Sequence, residues 1–322
     1  MHRPLIIINN SAARARQVWP VIQTELEKAK IEYDTHLTAA IGDATIQTRR
    51  ALHDGTKLIV VVGGDGSLSE VAEGYFEFSE NPEQLPKAIN KDAALAVLPA
   101  GTGDDFARGL VGQRAALNTW LKAFISKLTE PERPVTRLID VLYGRSNGLQ
   151  TPFICLNAAT MGIGGETASR VASQGNFMRR FSGEFRFLFA ALGALAVWRE
   201  RRVKVSIDGK LVSDGPMNLV AVANALYAGG GMMLSPNASL DDGKLDVVTA
   251  SGLSRANVIA ELSRVHKGGH VNNPKVNITQ GEIVLIETLM MQDAMLIEAD
   301  GNVRGVTPVR FEVMPSALQF MI

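Results

Sequence analysis

The chain has 322 residues, which is long enough for two domains that each bury a hydrophobic core. Its 33 basic and 33 acidic side chains balance to a formal net charge of zero, which argues against a general nucleic-acid binder. The single cysteine, Cys155, excludes a disulfide framework and a cysteine-rich zinc site, and its apolar surroundings indicate a buried thiol. The sequence shows no signal peptide and no apolar run of spanning length, so we expect a cytoplasmic protein that is able to touch the inner face of the membrane.

The first 133 residues alternate between strand and helix patterns, which is typical of a parallel sheet with helices on both faces. Because ligands in such folds bind beyond the carboxyl ends of the strands, the turns after Leu37, Val62 and Leu98 are expected to converge on one crevice. The predicted elements are strand 5–8, helix 16–30, strand 32–37, helix 43–52, strand 58–62, a helix from Leu68, strand 95–98 and a short helix from Asp104.

Strand-like runs dominate from residue 134 to residue 309, and Asp-Gly turns separate several of them. This texture predicts a β-rich sandwich that two helices interrupt, at 177–199 and 254–267. The last two predicted strands, 309–313 and 318–321, fit either domain, so residues 310–322 could return to the first one. The other predicted strands are 137–143, 153–158, 203–207, 217–225, 245–249, 282–287 and 294–298.

A glycine turn follows the most apolar predicted strand of the first domain. Leu58–Val62 is apolar and mostly β-branched, and Gly63-Gly64-Asp65-Gly66-Ser67 comes directly after it. A glycine turn between a strand and a helix N-terminus is suited to binding phosphate. Asp65 would repel a phosphate, however, unless a metal ion or a proton transfer requires a carboxylate there. Neither the phosphate-loop motif nor the dinucleotide fingerprint fits, since Leu68 and Ser69 stand where those motifs need other residues.

A second glycine turn, Pro99-Ala-Gly-Thr-Gly103, again joins a strand to a helix, which begins Asp104-Asp-Phe-Ala-Arg108. The two turns together resemble those of the lipid kinase family that contains bacterial diacylglycerol kinases and sphingosine kinases. That family carries Gly-Gly-Asp-Gly-Thr and Pro-x-Gly-Thr-x-Asn-Asp-Phe-Ala-Arg. Further segments are similar to its other motifs, in the same order along nearly the whole chain: Thr38–Ala44, Asn157–Gly162, Gly231–Pro236, Asp242–Asp246, and Asp300-Gly301 with Thr307-Pro308.

The resemblance implies an α/β nucleotide-binding domain of the NAD kinase and diacylglycerol kinase type at 1–133, and a β-sandwich lipid-substrate domain at 134–309, with the site in the cleft between them. It implies transfer of the γ-phosphoryl group of ATP, with Mg²⁺, to the hydroxyl of diacylglycerol or a related lipid in phospholipid biosynthesis. The nucleotide-binding residues that it implies are Asn9, Thr38, Gly63, Gly64, Asp65, Gly66, Ser67, Glu70, Gly101, Thr102, Asp105 and Arg108.

The resemblance also implies catalytic and metal-binding residues. Asp65 would hold Mg²⁺ or accept the proton of the acceptor hydroxyl, and the closing segment contributes Asp300 and Asn302 to the catalytic set. A second, structural metal would be bound by the side chain of Asp242 and the carbonyl groups of Ser239 and Lys244, an oxygen set that suits Mg²⁺ or Ca²⁺. An ordinary hairpin turn at Asp242-Gly243 is the equal alternative.

Two residues depart from the family pattern. Asn302 stands where bacterial members usually have a glutamate that is assigned as a base, and Asp104 stands where they have an asparagine. An amide can neither take that proton nor carry charge to a metal, although Asp104 could replace part of the lost charge and Asp65 could serve as the base. A catalytically impaired nucleotide- or lipid-binding member therefore remains the alternative, and an NAD kinase, which shares Gly-Gly-Asp-Gly, ranks third.

Arginines bracket an apolar helical stretch between residues 178 and 202. Such an element could contact anionic lipid headgroups, but a core helix with solvated ends is the favoured explanation. The expected partners are the lipid substrate and a transient membrane surface, with no nucleic acid, and a homodimer is left open.

Overall fold

The computed structural model describes residues 3–81, 83–130, 136–146, 152–174 and 183–321. The chain divides into an N-terminal unit, Met1–Asp140 with Ser316–Ile322, and a C-terminal unit, Val141–Pro315. The domain boundary predicted at residues 133 and 134 falls in a segment outside the described residues. None of the helices in the described part of the chain is both long enough and apolar enough to cross a bilayer.

The N-terminal unit alternates strands and helices, as the sequence pattern predicts. Its elements are β1 Leu5–Ile8, α1 Ala13–Lys28, β2 Asp34–Leu37, α2 Asp43–His53, β3 Leu58–Gly63, α3 Asp65–Gly74, β4 Phe76–Glu77, β5 Lys87–Ala88, β6 Ala94–Pro99, α4 Asp105–Val111 and α5 Leu117–Thr129.

Strands β2, β1, β3 and β6 lie side by side in that order and run parallel. Every residue of β3 and β6 is buried, as expected for a parallel sheet that helices cover on both faces. Helix α1 packs through Ala15, Ile22 and Leu26, an amphipathic spacing. The carboxyl ends of β1, β2, β3 and β6 are consequently at one edge of the sheet, and each is followed by a polar or glycine-rich turn.

The C-terminal unit is mainly antiparallel. Its strands are β7 Thr136–Ser146, which begins in the other unit, β8 Phe153–Cys155, β9 Ala158–Gly162, β10 Arg201–Ile207, β11 Lys210–Met217, β12 Leu219–Ala223, β13 Tyr227–Ala228, β14 Met232–Met233, β15 Leu245–Ala250, β16 Val276–Gly281, β17 Ile283–Thr288, β18 Leu296–Ala299, β19 Asn302–Val306 and β20 Val309–Met321. Its helices are α6 Ile163–Ala172, α7 Gly183–Val197 and α8 Arg255–Val265, with short 3-10 turns at Gly269–Asn272 and Met291–Asp293.

Two layers of strands enclose the core of this unit. One layer has the order β16-β15-β12-β9-β18-β19, and the other contains β11-β10-β17 and the first half of β20. Alternate residues of both layers point into a common hydrophobic cluster, which is the arrangement of a sandwich. Within it, the rings of Phe153 and Phe311 meet nearly at right angles with centroids 6.2 Å apart. The predicted fold class, an α/β domain with a parallel sheet followed by a β sandwich, is confirmed.

Several predicted element boundaries are wrong. The strand predicted at 153–158 is interrupted after Cys155, and the one at 217–225 is interrupted at Asn218. The two strands predicted at 309–313 and 318–321 form one strand, β20, despite Pro315. Ser316 has a positive φ of 48°, and its amide donates a hydrogen bond to the Asp140 carboxylate at 2.7 Å.

Helices α5 and α6 are absent from the predicted elements, although Leu117, Trp120, Leu121 and Phe124 of α5 have the spacing of an amphipathic helix. The helix predicted at 177–199 begins among residues 175–182, which lie outside the described residues, and its described part is α7.

Candidate nucleotide-binding site

The two glycine turns lie against each other beyond the carboxyl ends of β3 and β6. A Cβ atom on Gly64 would lie 2.9 Å from the Gly101 Cα, and a Cβ atom on Gly101 would lie 2.5 Å from the Gly64 Cα. Neither position has room for a side chain, so the close approach of the two backbones requires glycine in both turns. The Ala100 amide also donates to the Gly63 carbonyl at 2.8 Å. The two turns therefore form one continuous backbone surface.

Asp65 joins the first turn to the helix that follows the second. Its Oδ2 accepts a hydrogen bond from the Asp105 amide at 3.0 Å, and its Oδ1 accepts one from the Phe106 amide at 2.9 Å. Both amides lie in the first turn of α4, where N–H groups have no acceptor within the helix. Asp65 is thus held in a fixed orientation and is partly exposed at the turn.

Asp104 organises the second turn. It is buried, adopts a left-handed backbone conformation with φ of 52°, and accepts a hydrogen bond from the Gly101 amide at 2.7 Å. Two guanidinium groups approach its other oxygen, that of Arg14 at 3.4 Å and that of Arg114 at 3.8 Å. Burial raises the pKa of Asp104, and the nearby Asp65 charge adds to that rise, while the Gly101 amide and the two arginines oppose it.

Asn9 ties the end of β1 to the first glycine turn. Its Oδ1 accepts hydrogen bonds from the Ser11 and Ala12 amides at 3.0 and 3.1 Å, and its Nδ2 donates to the Ser67 Oγ at 2.7 Å. A Cβ atom on Gly63 would lie 2.7 Å from that same Ser67 Oγ. Asn9, after the end of β1, and Ser67, in the turn after β3, are therefore in direct contact.

Thr38 and Glu70 border this edge of the sheet next to β2. The Thr38 Oγ1 accepts a hydrogen bond from the Asn10 amide at 3.2 Å. The Glu70 Oε2 accepts one from the Gly42 amide at 3.1 Å, and the Glu70 carbonyl accepts one from the Thr45 hydroxyl at 2.8 Å. Glu70 thus holds the loop after β2 against α3.

The remaining predicted nucleotide-binding residues belong to the second turn and α4. Thr102 is exposed, and its carbonyl accepts a hydrogen bond from Arg114 at 3.0 Å. Asp105 is buried and Arg108 is partly exposed on α4. The structure thus brings the predicted residues of the N-terminal unit to one edge of one sheet.

Arg14 and Arg114 are the two site residues that the sequence analysis missed. Arg14 donates to the Gly101 carbonyl at 2.5 Å in addition to its contact with Asp104. Its position in the first turn of α1, just beyond the end of β1, was a usable signal. Arg114 follows α4 in an irregular segment and reaches the site only through the fold.

Asp300 holds a turn within the C-terminal unit. Asp300 and Gly301 have positive φ values of 47° and 85°, as in a two-residue type I′ hairpin, and connect β18 to β19. The buried Asp300 carboxylate accepts hydrogen bonds from the amides of Leu156 and Asn157 at 2.7 and 3.0 Å, and from the Cys155 thiol at 3.2 Å. Burial, and then the Asp300 charge, raise the pKa of that thiol well above its ordinary value.

Asn302 begins β19 and is partly exposed, with its Nδ2 at 3.5 Å from the Asp300 carbonyl. The predicted structural metal site lies in another loop of the same unit. The exposed Asp242 accepts a hydrogen bond from the Lys244 amide at 3.0 Å, and the Ser239 hydroxyl donates to the neighbouring Asp241 at 2.7 Å. Across the described residues, no cluster of three His, Cys, Asp or Glu side chains is placed to bind a metal. A site made of one carboxylate and two carbonyl groups stays a prediction.

Replacing Gly101 by alanine tests the contact between the two turns. The added Cβ would lie 2.5 Å from the Gly64 Cα and 2.7 Å from the Asp104 Oδ1, so we expect the turns to separate at a cost of about 1–3 kcal/mol of stability. Calorimetry should show Mg-ATP binding weakened by about tenfold or more, since 1.4 kcal/mol corresponds to about one factor of ten. Gly109→Ala is the control, because no heavy atom lies within 4 Å of its Cβ position. Equal ATP affinity in both variants would contradict the role of this contact.

The raised pKa of Asp104 predicts a pH-dependent stability difference. The folded state holds this proton more tightly than the unfolded chain, so ionisation costs stability as the pH rises through the raised pKa, and no cost remains below the unfolded value. Asp104→Asn removes the ionisable group and keeps an oxygen for the Gly101 amide. We expect the melting temperature of the variant, relative to the wild type, to be higher at about pH 7 than at about pH 4. A difference that is constant with pH, or larger at acid pH, would show that the pKa of Asp104 is not raised.

Comparisons with known proteins agree with the geometry. Residues 3–134 match the diacylglycerol kinase catalytic domain, and residues 161–322 match the YegS C-terminal NAD kinase beta sandwich-like domain. The second match alone extends over half of the chain. The diacylglycerol kinase of Bacillus subtilis (strain 168) is 28% identical over 314 residues, which cover 97% of this chain and 93% of that protein.

Solved structures support the fold. A diacylglycerol kinase from Bacillus anthracis str. Sterne aligns with a TM-score of 0.67 at 20% identity and covers 99% of this chain and 96% of its own. Yeast NADH kinase complexed with NADH aligns with a TM-score of 0.53 at 10% identity, covering 99% and 82%. These identities establish the shared architecture alone. The two domain matches go further, and they show that this chain belongs to the diacylglycerol kinase family of lipid kinases, with a YegS-type β-sandwich domain after the catalytic domain.

Proposed function

We propose that this protein transfers the γ-phosphoryl group of ATP to the hydroxyl group of diacylglycerol or a closely related lipid, with Mg²⁺. The observation that carries the proposal is the position of Asp65, a carboxylate that two backbone amides fix at the contact between two glycine turns. Phosphoryl transfer asks mainly for positioning and for neutralisation of charge. A rigid backbone surface with one oriented carboxylate supplies the first of these requirements.

The surroundings of the turns suit an anionic triphosphate. Gly64 is the N-cap of α3, and Gly66 lies in its first turn, where N–H groups lack intrahelical acceptors and the helix dipole favours negative charge. Arg14 and Arg114, each somewhat less than half exposed, lie beside the second turn. Their contacts with Asp104 keep both guanidinium groups close to the turn, so that cationic side chains border a surface of backbone amides.

The donor set around Asp65 also fits Mg²⁺, which prefers carboxylate oxygens and phosphate oxygens as ligands. Asp65 would hold the ion from the protein side, and the bound ion would neutralise charge on the transferred group. The contribution of the chain is orientation: the amides of Asp105 and Phe106 fix the plane of the carboxylate before any ligand binds.

A catalytically impaired, nucleotide- or lipid-binding protein is the second candidate. Asn302 supports it, because this residue occupies the position where the family resemblance places a glutamate base, and an amide cannot accept a proton from a hydroxyl group. Asp300 beside it is committed to the 155–157 turn by three donors. If neither Asn302 nor Asp300 acts as a base, any catalysis by this protein would depend on Asp65. A substitution of Asp65 therefore separates the two candidates.

Asp65→Asn tests the proposal. We expect transfer of radiolabelled phosphate from ATP to diacylglycerol to fall by about a hundredfold or more, because the amide supplies neither the charge nor the basicity of the carboxylate. The variant also loses one of two cap hydrogen bonds on α4, worth about 1 kcal/mol, which a melting curve measures separately. Asp54→Asn, an exposed aspartate after α2, is the control. A wild-type protein that binds ATP and transfers nothing to any lipid hydroxyl would instead support the second candidate.

Asn302→Glu tests whether the altered closing segment limits the rate. Residue 302 is partly exposed and follows the hairpin turn, so a longer side chain can be accommodated without unfolding. We expect the transfer rate to rise from a low value or to stay unchanged, since a carboxylate is restored beside the Asp300 turn. A large loss of activity at an unchanged melting temperature would mean that the asparagine has a catalytic role of its own.

A further inference from the structure

We propose that one surface of the C-terminal unit docks on an anionic lipid bilayer. The surface, which we name the Leu289 surface, consists of the loop Leu289–Met291, the outer face of α7 from Phe189 to Val197, and the adjoining Arg201 and Arg202. The proposal rests on the proposed function only for its biological reason, which is that the acceptor lipid resides in a membrane. The surface itself is argued from exposure, support and charge.

The Leu289–Met291 loop presents three consecutive apolar side chains to solvent. It connects β17 to β18, and Met291 is 96% exposed, with Leu289 at 61% and Met290 at 59%. Single exposed apolar residues are common, but contiguous exposed apolar side chains indicate an interaction surface. Methionine is flexible and adapts to irregular apolar surroundings. The loop is therefore suited to enter the boundary between headgroups and acyl chains.

Polar contacts hold the base of the loop, so the apolar tips are directed outward. The Gln292 carbonyl accepts hydrogen bonds from Arg199 and from Arg201, the latter at 2.7 Å. Asp293 is buried and forms an ion pair with Arg199 at 3.4 Å. These contacts link the loop directly to the segment that follows α7.

Helix α7 adds apolar area to the same surface. Its inner face buries Ala190, Ala191, Ala194 and Leu195, whereas Phe189, Leu192 and Val197 on its outer face are exposed. A helix that is apolar on both faces is normally buried on both. Arg199, two residues beyond the end of α7, contacts Gln292 and Asp293, so the C-terminal end of this helix is the part that is joined to the loop.

The charges of this patch favour an anionic partner. The Arg201 guanidinium lies 5.6 Å from the centre of the Trp198 ring, and Arg202 is exposed on β10. Within the part of the chain that the structure describes, no carboxylate is within 4.0 Å of a nitrogen of Arg201 or Arg202. Apolar tips flanked by such cations match the interface of a bilayer that contains acidic lipids, where each arginine near the surface adds attraction. A second copy of the chain would bring the same cations and oppose them.

Vesicle co-sedimentation of the full-length protein tests the proposal. We expect the wild type to bind vesicles of phosphatidylglycerol and phosphatidylcholine more tightly than vesicles of phosphatidylcholine alone. The triple variant Leu289→Gln, Met290→Gln, Met291→Gln should bind the acidic vesicles about tenfold to a hundredfold more weakly, because each lost apolar side chain removes buried area. Arg202→Gln should lower binding to acidic vesicles by about fivefold and leave binding to neutral vesicles unchanged.

Leu211→Gln is the matched control, because Leu211 is 59% exposed like Met290 but pairs with Ser206, near the opposite end of β10 from Arg201. The proposal is overturned if the wild type does not bind acidic vesicles, if the triple variant binds them as the wild type does, or if Leu211→Gln weakens binding equally. Sedimentation velocity tests self-association. If the wild type is a dimer, and the triple variant loses the dimer but still binds vesicles, the surface is a dimer interface and the proposal is overturned. Transfer to a short-chain diacylglycerol dissolved as monomers needs no bilayer, so its absence in the wild type would reject the proposed function and not this surface.

Discussion

The geometry of the site depends on the contact of Gly64 with Gly101, where neither residue has room for a Cβ atom. Two strands that end at the same edge of a parallel sheet can bring their turns together only if neither turn carries a side chain at the contact. The Asp65 carboxylate then spans this contact and binds the first amides of α4. A residue in the first turn therefore fixes the helix that follows the second, so the two motifs act as one structural element.

This arrangement places several charges close together. Burial raises the pKa of the Asp104 carboxyl, and the nearby Asp65 charge adds to that rise. Arg14 and Arg114 oppose the rise, and both also donate to carbonyl groups of the second turn. The acidic residue that departs from the family pattern thus acquires two cationic neighbours within its own unit. Its negative charge is balanced locally, and the cations are held beside the surface that we assign to phosphates.

The C-terminal unit uses a carboxylate in a comparable way, with a different consequence. Asp300 lies in a tight hairpin turn and accepts hydrogen bonds from two amides and a thiol of the segment after β8. Its burial and its three donors indicate that it stabilises the sandwich, and its neighbour Asn302 stays near the surface. One short motif therefore combines a structural residue with a residue whose identity can change at little cost to folding. This difference would let the chain keep its sandwich fold with Asn302 where the resemblance implies a glutamate.

The sequence alone determined the strands of the parallel sheet, both glycine turns, the buried environment of Cys155 and the family. Patterns within short segments encode each of these: apolar runs, glycine at the end of a strand, and motifs in a fixed order. It did not determine that β20 would run unbroken past Pro315, since the acceptor of the Ser316 amide, Asp140, is distant in the chain. Nor did it reveal that Arg14 and Arg114 would meet at Asp104, or that Leu289–Met291 would be exposed next to the segment that follows α7. Such contacts join residues far apart in sequence, and only the packing of the folded chain brings them together.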